Sequence, residues 1–206
     1  VIPESFGLSA TIGVEGSAKL SIRNMGSEDL PIQITTVQFD HILKFDESDF
    51  VLPAGQTKVI DFTINPPSEA GVYTGKIILN SGTKRFEIPF ALNVNSELSL
   101  FDVSINLDER YKTIKQGQDI IGQINLLQAG LQEEADVRVE YTIKDFEGNV
   151  YSQISETVAV LREKEYDYEF KTSALPVGEY LIGVEVVYSG GVATASHQFQ
   201  VTGSLF

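Results

Sequence analysis

Residues 178–201 read Gly178-Glu179-Tyr180-Leu181-Ile182-Gly183-Val184-Glu185-Val186-Val187-Tyr188-Ser189-Gly190-Gly191-Val192-Ala193-Thr194-Ala195-Ser196-His197-Gln198-Phe199-Gln200-Val201. Tyr180, Ile182, Val184, Val186 and Tyr188 recur at every second position. Ser189-Gly190-Gly191 then interrupts the row, and Ala193, Ala195, Phe199 and Val201 resume it. A period of two places these side chains on one face of an extended chain, and a short glycine-rich break turns the strand back on itself. The stretch is a β-hairpin with one buried face.

The same grammar runs through the rest of the chain. Phe101, Val103, Ile105 and Leu107 alternate, as do Ile120, Ile124 and Leu126, and Val137, Val139, Tyr141 and Ile143 lead into the hairpin loop Asp145-Phe146-Glu147-Gly148-Asn149. Tyr166, Tyr168 and Phe170 form another row. Earlier rows are Phe6-Leu8-Ala10-Ile12, Ala18-Leu20-Ile22, Ile60-Phe62-Ile64, Tyr73-Ile77-Leu79 and Phe86-Ile88-Phe90-Leu92-Val94. Turn-forming clusters such as Asn24-Met25-Gly26-Ser27, Pro53-Ala54-Gly55, Pro66-Pro67 and Asn80-Ser81-Gly82 separate them. Half-buried strands broken every 8–12 residues predict an all-β sandwich. The one helical turn expected lies near 132–135.

With 206 residues the chain has room for two sandwiches of about 100 residues each. A weak internal repeat marks the division. Gly71-Val72-Tyr73 and Gly178-Glu179-Tyr180 each follow a Pro-containing turn and open a strand before a final hairpin. Glycine there suggests a permissive backbone, and the tyrosine suggests the tyrosine corner of immunoglobulin-type sandwiches. We expect two consecutive immunoglobulin-like antiparallel β-sandwich domains, residues 1–96 and 97–206, joined end to end through a short bridge near Asn95–Leu98. Stacked in that way they would span ~70–90 Å.

The second half resembles the immunoglobulin-like modules of archaeal and bacterial cell-surface proteins, described as S-layer-associated or cell-adhesion-related. The residues carrying the likeness are Phe101-Asp102-Val103, Gly117, Val137-Arg138-Val139-Glu140-Tyr141, Asp145-Phe146-Glu147-Gly148, Ser155–Val160, Leu175-Pro176-Val177-Gly178-Glu179-Tyr180 and Phe199-Gln200-Val201. The first half is similar to the broad group of bacterial surface repeats, major-sperm-protein-type and pilus-chaperone domains, through Ile22-Arg23-Asn24, Leu52-Pro53-Ala54-Gly55-Gln56-Thr57 and Gly71-Val72-Tyr73-Thr74-Gly75. The resemblance implies spacers, adhesive surfaces or accessory domains, and it brings no catalytic motif.

Charge narrows the partners. The formal net charge is −14, and residues 97–206 carry −10 of it, with 8 basic against 18 acidic side chains. Phosphate backbones and anionic lipid repel such a surface, so neither nucleic acid nor direct membrane insertion is expected, and protein partners are. No run approaches the roughly 20 apolar residues of a membrane helix. The first residues, Val1-Ile2-Pro3-Glu4-Ser5, have no signal-peptide character, which suggests a mature or excised fragment. Cysteine is absent, which removes thiol chemistry and Cys-based metal sites, and no Asn-x-Ser/Thr sequon occurs.

Chemistry-bearing residues are sparse. His41 and His197 are the only histidines, neither in a zinc motif, and no Gly-x-Ser-x-Gly elbow or phosphate loop is present. His197 lies in the alternating row and reads as a packed or rim residue. The densest set of hard oxygen ligands is Asp46-Glu47-Ser48-Asp49, with Asp40 nearby, and calcium is the one cofactor these residues could hold. They lack the spacing of an EF-hand loop and read more simply as a solvated acidic loop. Glu163, Glu165, Asp167 and Glu169 form an outward strand face, and Tyr151, Tyr166, Tyr168 and Tyr188 read as core or rim rather than as sugar platforms. Lys84-Arg85 reads as an edge guard. The expected function is a non-catalytic extracellular structural or adhesive segment, a spacer or protein-interaction module of a surface protein. The alternatives are a carbohydrate- or calcium-binding accessory module and a two-domain pilus-chaperone-like protein.

Overall fold

The computed structural model describes residues 1–98, 100–129 and 133–203. The first sandwich contains Phe6–Thr11 (β1), Gly16–Arg23 (β2), Leu30–Val37 (β3), Leu43–Phe45 (β4), Asp49–Leu52 (β5), Thr57–Ile64 (β6), Gly71–Ser81 (β7) and Lys84–Asn95 (β8). They form a five-stranded sheet in the order β1-β8-β7-β3-β5 and a three-stranded sheet in the order β2-β6-β4. The alternating rows supply the core between the sheets. Phe6, Phe62 and Phe90 come from strands, Phe39 from the β3–β4 connection, and their rings interlock. Phe90 is fully buried, with ring centroids of Phe6 and Phe39 each 5.1 Å away.

The second sandwich contains Phe101–Leu107 (β9), Thr113–Lys115 (β10), Ile120–Gln128 (β11), Ala135–Asp145 (β12), Val150–Val160 (β13), Glu163–Phe170 (β14), Gly178–Tyr188 (β15) and Gly191–Thr202 (β16). The sheets are β10-β16-β15-β12-β13 and β14-β11-β9. The fold is all-β, two sandwiches alike in their larger sheets; in the smaller ones β6 is central between β2 and β4, whereas β11 is central between β14 and β9. In each, an early strand (β1 or β10) lies parallel to the last strand (β8 or β16), while the other pairings are antiparallel. The helical turn expected near 132–135 is not found at its described end. Ala135 opens β12, and Gln132 lies outside the described residues. Among the described residues the one helical element is a 3₁₀ turn at Glu109–Tyr111, where Asp108 accepts from the Arg110 amide.

The repeat at the two tyrosines is structural. Tyr73 Oη donates to the Glu69 carbonyl and Tyr180 Oη to the Pro176 carbonyl, each at 2.9 Å and each four residues back. Both are tyrosine corners, pinning the turn that precedes β7 and β15. The glycines before them contribute differently from the sequence reading. Neither Gly71 nor Gly178 has a positive φ, and a Cβ at Gly71 would instead meet Glu185 Oε1 at 3.3 Å. Tyr180 is the more buried of the two, and burial, reinforced by Tyr151, pushes its pKa up to about 12. Tyr180→Phe, which leaves the Pro176 carbonyl without its donor, is expected to cost about 1–2 kcal/mol. Tyr73→Phe, at a more solvated corner, should cost less. Urea denaturation of the two variants checks both values.

The end-to-end arrangement expected from the short bridge is not what the chain adopts. The outward faces of the two five-stranded sheets meet, β7 and β8 on one side and β12, β15 and β16 on the other, leaving the three-stranded sheets outermost. The cause is visible in the strands. β7 is buried on both faces along most of its length, and so is β15 from Tyr180 to Val184. Such strands need cover on two sides, and a stacked rod would leave Val72, Ala91 and Leu181 in water.

Candidate functional site

The docked surface is built around Val72, Ala91, Phe146 and Leu181, all at most 2% exposed. Phe146 belongs to the β12–β13 hairpin, and Asp145 holds that hairpin in shape. The Asp145 carboxylate accepts from the Glu147 and Asn149 amides at 2.9 Å, from Asn149 Nδ2 at 2.8 Å and from Tyr151 Oη at 3.1 Å. Burial works against its charge, but these donors outweigh it and keep its pKa below the ordinary aspartate value. The apolar ring is thereby delivered to the first sandwich from a turn that would otherwise be solvated.

Close approach of the sheets depends on small residues. A Cβ on Gly183 would lie 3.2 Å from Val72 Cβ and 2.7 Å from Thr142 Oγ1. The backbone of β7 is also completed from across the interface. β3 covers β7 only from Lys76 to Asn80, so among the described residues that edge has no neighbouring strand near Val72. There the Val72 amide donates to Glu185 Oε1 at 2.8 Å, and Lys144 Nζ donates to the Val72 carbonyl at 2.8 Å. Two side chains of the second sandwich thus stand in for a missing strand. Asn95 Oδ1 accepts from the Thr194 amide at 2.7 Å, Ser96 and Val192 exchange two hydrogen bonds, and Gln198 Nε2 donates to the Phe6 carbonyl at 3.0 Å. At the rim Lys76 bridges Glu87 of its own sandwich and Glu147 of the other. Burial disfavours the Lys76 charge, but the two carboxylates prevail and raise its pKa.

Glu185 gives this interface a pH dependence. Burial lifts its pKa above the ordinary glutamate value, although the Val72 amide and the nearby Lys144 pull the other way. The folded chain therefore keeps this proton at a pH where the unfolded chain has lost it. Stability falls as pH rises from the ordinary carboxylate range through the raised value, and is flat above it. Glu185→Gln keeps an oxygen for the Val72 amide and removes the charge. Denaturation midpoints of the two proteins, followed from about pH 4 to about pH 8, should show the variant gaining on the parent as pH rises.

The acidic residues singled out from the sequence as calcium candidates do not join this surface. Asp40, Asp46, Glu47 and Asp49 are exposed. Asp40 accepts from Thr36 Oγ1, Glu47 pairs with Lys58 at 2.5 Å, and among the described residues no three Asp, Glu or His side chains converge on one point. His41 is exposed, and His197 is half-buried with Nδ1 2.9 Å from the Gln198 carbonyl. Glu163, Glu165, Asp167 and Glu169 line the outer face of β14, while Tyr166 and Tyr168 turn inward onto the core. Tyr166 and Glu156 both hydrogen-bond Tyr141 Oη, at 2.5 and 2.7 Å.

Two open features were not anticipated. β13 is an outer strand of eleven residues with Val150, Tyr151 and Ile154 about half exposed and no Lys, Arg or Pro along it. At the mouth of the first sandwich, a groove of about 500 Å³ lies between the β2–β3 connection and the β7–β8 hairpin. Its lining includes Ile22, Ile32, Leu79 and Phe86, with Arg23 and Lys84 among its polar residues. Lys84, read with Arg85 as an edge guard, lines this groove, and Arg85 pairs with Glu87.

Comparison with solved structures returns β-rich proteins of low identity. A CARDB domain from Pyrococcus furiosus, solved in complex with di-metal ions, aligns at 16% identity and a TM-score of 0.36, covering 50% of this chain and 94% of that one. The CupB2 chaperone of Pseudomonas aeruginosa aligns at 12% and 0.35, covering 96% and 98%. A protein of unknown function from Porphyromonas gingivalis aligns at 13% and 0.46, covering 98% and 97%. No family model matches the sequence, and no curated protein does. Among the described residues no helix is long and apolar enough to cross a membrane.

Proposed function

We propose that this chain is a non-catalytic protein-interaction segment of an extracellular surface protein, in which two immunoglobulin-like sandwiches are locked into one block that presents open sheet edges to a partner. The observation that supports this reading is the docking itself. Each five-stranded sheet spends its outward face on the other, so the unoccupied hydrogen-bonding capacity of the fold is concentrated at strand edges held on a fixed frame. The acidic surface suits a soluble, exposed block. Side-by-side docking shortens the reach of the pair, so interaction fits it better than spacing.

Antibodies raised against the purified chain should label intact, unpermeabilised cells of the source organism. Labelling only after permeabilisation would remove the extracellular assignment. Small-angle scattering should report a compact particle of unchanged dimensions with and without millimolar calcium, and compaction or assembly on adding the ion would favour the calcium-binding accessory reading instead.

A further inference from the structure

The groove at the mouth of the first sandwich is bordered by a strand that lacks a neighbour. β1 pairs with β8 only from Phe90 to Asn95, so among the described residues the segment Lys84–Pro89 has β7 on one side and no strand on the other. Phe86, on this free segment, is 55% exposed, although its alternation places it in the row with buried Ile88 and Phe90. The end of the core row is therefore left open beside unpaired backbone, with Ile22, Ile32 and Leu79 beneath it. A lipid or small amphiphile would cover the apolar floor but leave the amides and carbonyls of the edge unmatched. An added strand covers both.

Charge specifies that strand further. Acidic residues outnumber basic ones 29 to 15 in the chain, yet the groove is lined by Arg23 and Lys84 against a single carboxylate, Glu28. Among the described residues neither Arg23 nor Lys84 forms an ion pair; of the other cations of the first sandwich Lys19, Lys58, Lys76 and Arg85 do and Lys44, away from the groove, does not. Two unmatched cations beside an apolar slot, on a molecule whose general field repels anions, mark a local site for a carboxylate.

The geometry points to this groove as the docking site for an extended peptide segment of a partner protein, one with apolar side chains at alternate positions and acidic residues at one end, adding as a strand to the free edge of β8 at Lys84–Ile88, ahead of Pro89, which has no N–H to offer. This names the partner chemistry for the interaction role proposed above and rests on that role. The edge residues Lys84–Ile88 span ~17 Å, so a segment of about five to seven residues fills the site. Its apolar side chains lie against Phe86 and the open end of the core, and its carboxylates reach Arg23 and Lys84.

The test is selection of a phage-displayed random decapeptide library on the immobilised full chain, with counter-selection on Phe86→Asp, a substitution at an exposed position whose fold is verified by an unchanged thermal transition. The expected winners alternate apolar residues and carry Asp or Glu at one end. As synthetic peptides they should protect backbone amides within residues 84–88 from hydrogen exchange. They should bind Phe86→Asp at least tenfold more weakly, and the Arg23→Glu/Lys84→Glu double variant should prefer lysine-bearing counterparts. Absence of any sequence that discriminates the parent from Phe86→Asp would overturn the proposal. So would winners that are basic, or that bind without protecting residues 84–88. Laurate, used as an amphiphile probe, should fail to compete, and its displacement of the peptides without amide protection would reassign the groove to amphiphiles. Cell labelling is independent of all these readouts, so loss of the peptide site and loss of the surface assignment are told apart.

Discussion

Gly183→Trp is expected to separate the two sandwiches without unfolding either. Gly183 sits on the outward face of β15, where even a methyl group would lie 3.2 Å from Val72 Cβ. An indole at this point cannot be absorbed by the interface, because the facing atoms belong to strands whose opposite faces form the two cores. It has somewhere to go only if the sheets part. Parting exposes Val72, Ala91, Phe146 and Leu181, and breaks the Val72 hydrogen bonds to Glu185 and Lys144. Each sandwich keeps its own core of 18 or more buried residues. Small-angle scattering should therefore record a larger radius of gyration, while far-ultraviolet circular dichroism stays that of a β-protein. Denaturation should split into two transitions where the parent shows one. An unchanged radius would mean that the sheets are held by more than the contacts around Gly183.

Phe90→Ala is the second large effect, and it is confined to the first sandwich. The ring is fully buried and stands against Phe6 and Phe39 at 5.1 Å and Phe62 at 6.3 Å. Its removal leaves a cavity among three aromatic side chains, two of which, Phe6 and Phe62, are held by strands, so collapse around it is limited. A loss of about 3–5 kcal/mol is expected. Against the 5–15 kcal/mol typical of a whole domain this brings the first sandwich close to unfolding at ambient temperature. The second sandwich shares no core residue with it and should retain its transition, less the support it draws from docking. Guanidinium unfolding, followed by amide exchange in each half, separates the two contributions.

Much of the fold was legible because the alternation was. The rows Tyr180–Tyr188 and Phe86–Val94 fixed which side chains face each core, and Tyr73 and Tyr180 marked the same corner twice. The docking was not foreseen, although a signal was present. Ile77-Ile78-Leu79 and Leu181-Ile182 place apolar residues on both faces of a strand, and Phe146 puts an aromatic ring in a turn. A period-two reading counts one face and passes over the other. The short bridge at Asn95–Leu98 suggested stacking, yet a short connection limits distance and not direction. Ser96 bonds back to Val192, so the chain folds onto the second sandwich as it enters it. The groove was hidden for another reason. Phe86 has the alternation of a core residue, and only the point at which β1 stops pairing shows that its end of the row is open. Acidic clusters such as Asp46-Glu47-Ser48-Asp49 drew attention by composition, but adjacency in sequence does not aim side chains at a common point.

The parallel pairing of an early with the last strand in each sandwich has a mechanical side. In the first sandwich the early strand is also the first one, so a pull on its two ends runs along β1 and β8 in opposite directions, and the bonds of their six registered residues are loaded in shear and fail together rather than one by one. The second sandwich is entered through β9, which pairs antiparallel with β11 in the other sheet, and β10 meets β16 over three residues only. Once the sandwiches have parted, the second should yield at the lower force and the first should hold on, a sequence that single-molecule extension can read directly. A surface protein built on this pair would carry a fuse and a clamp in series, with the fuse in its acidic half.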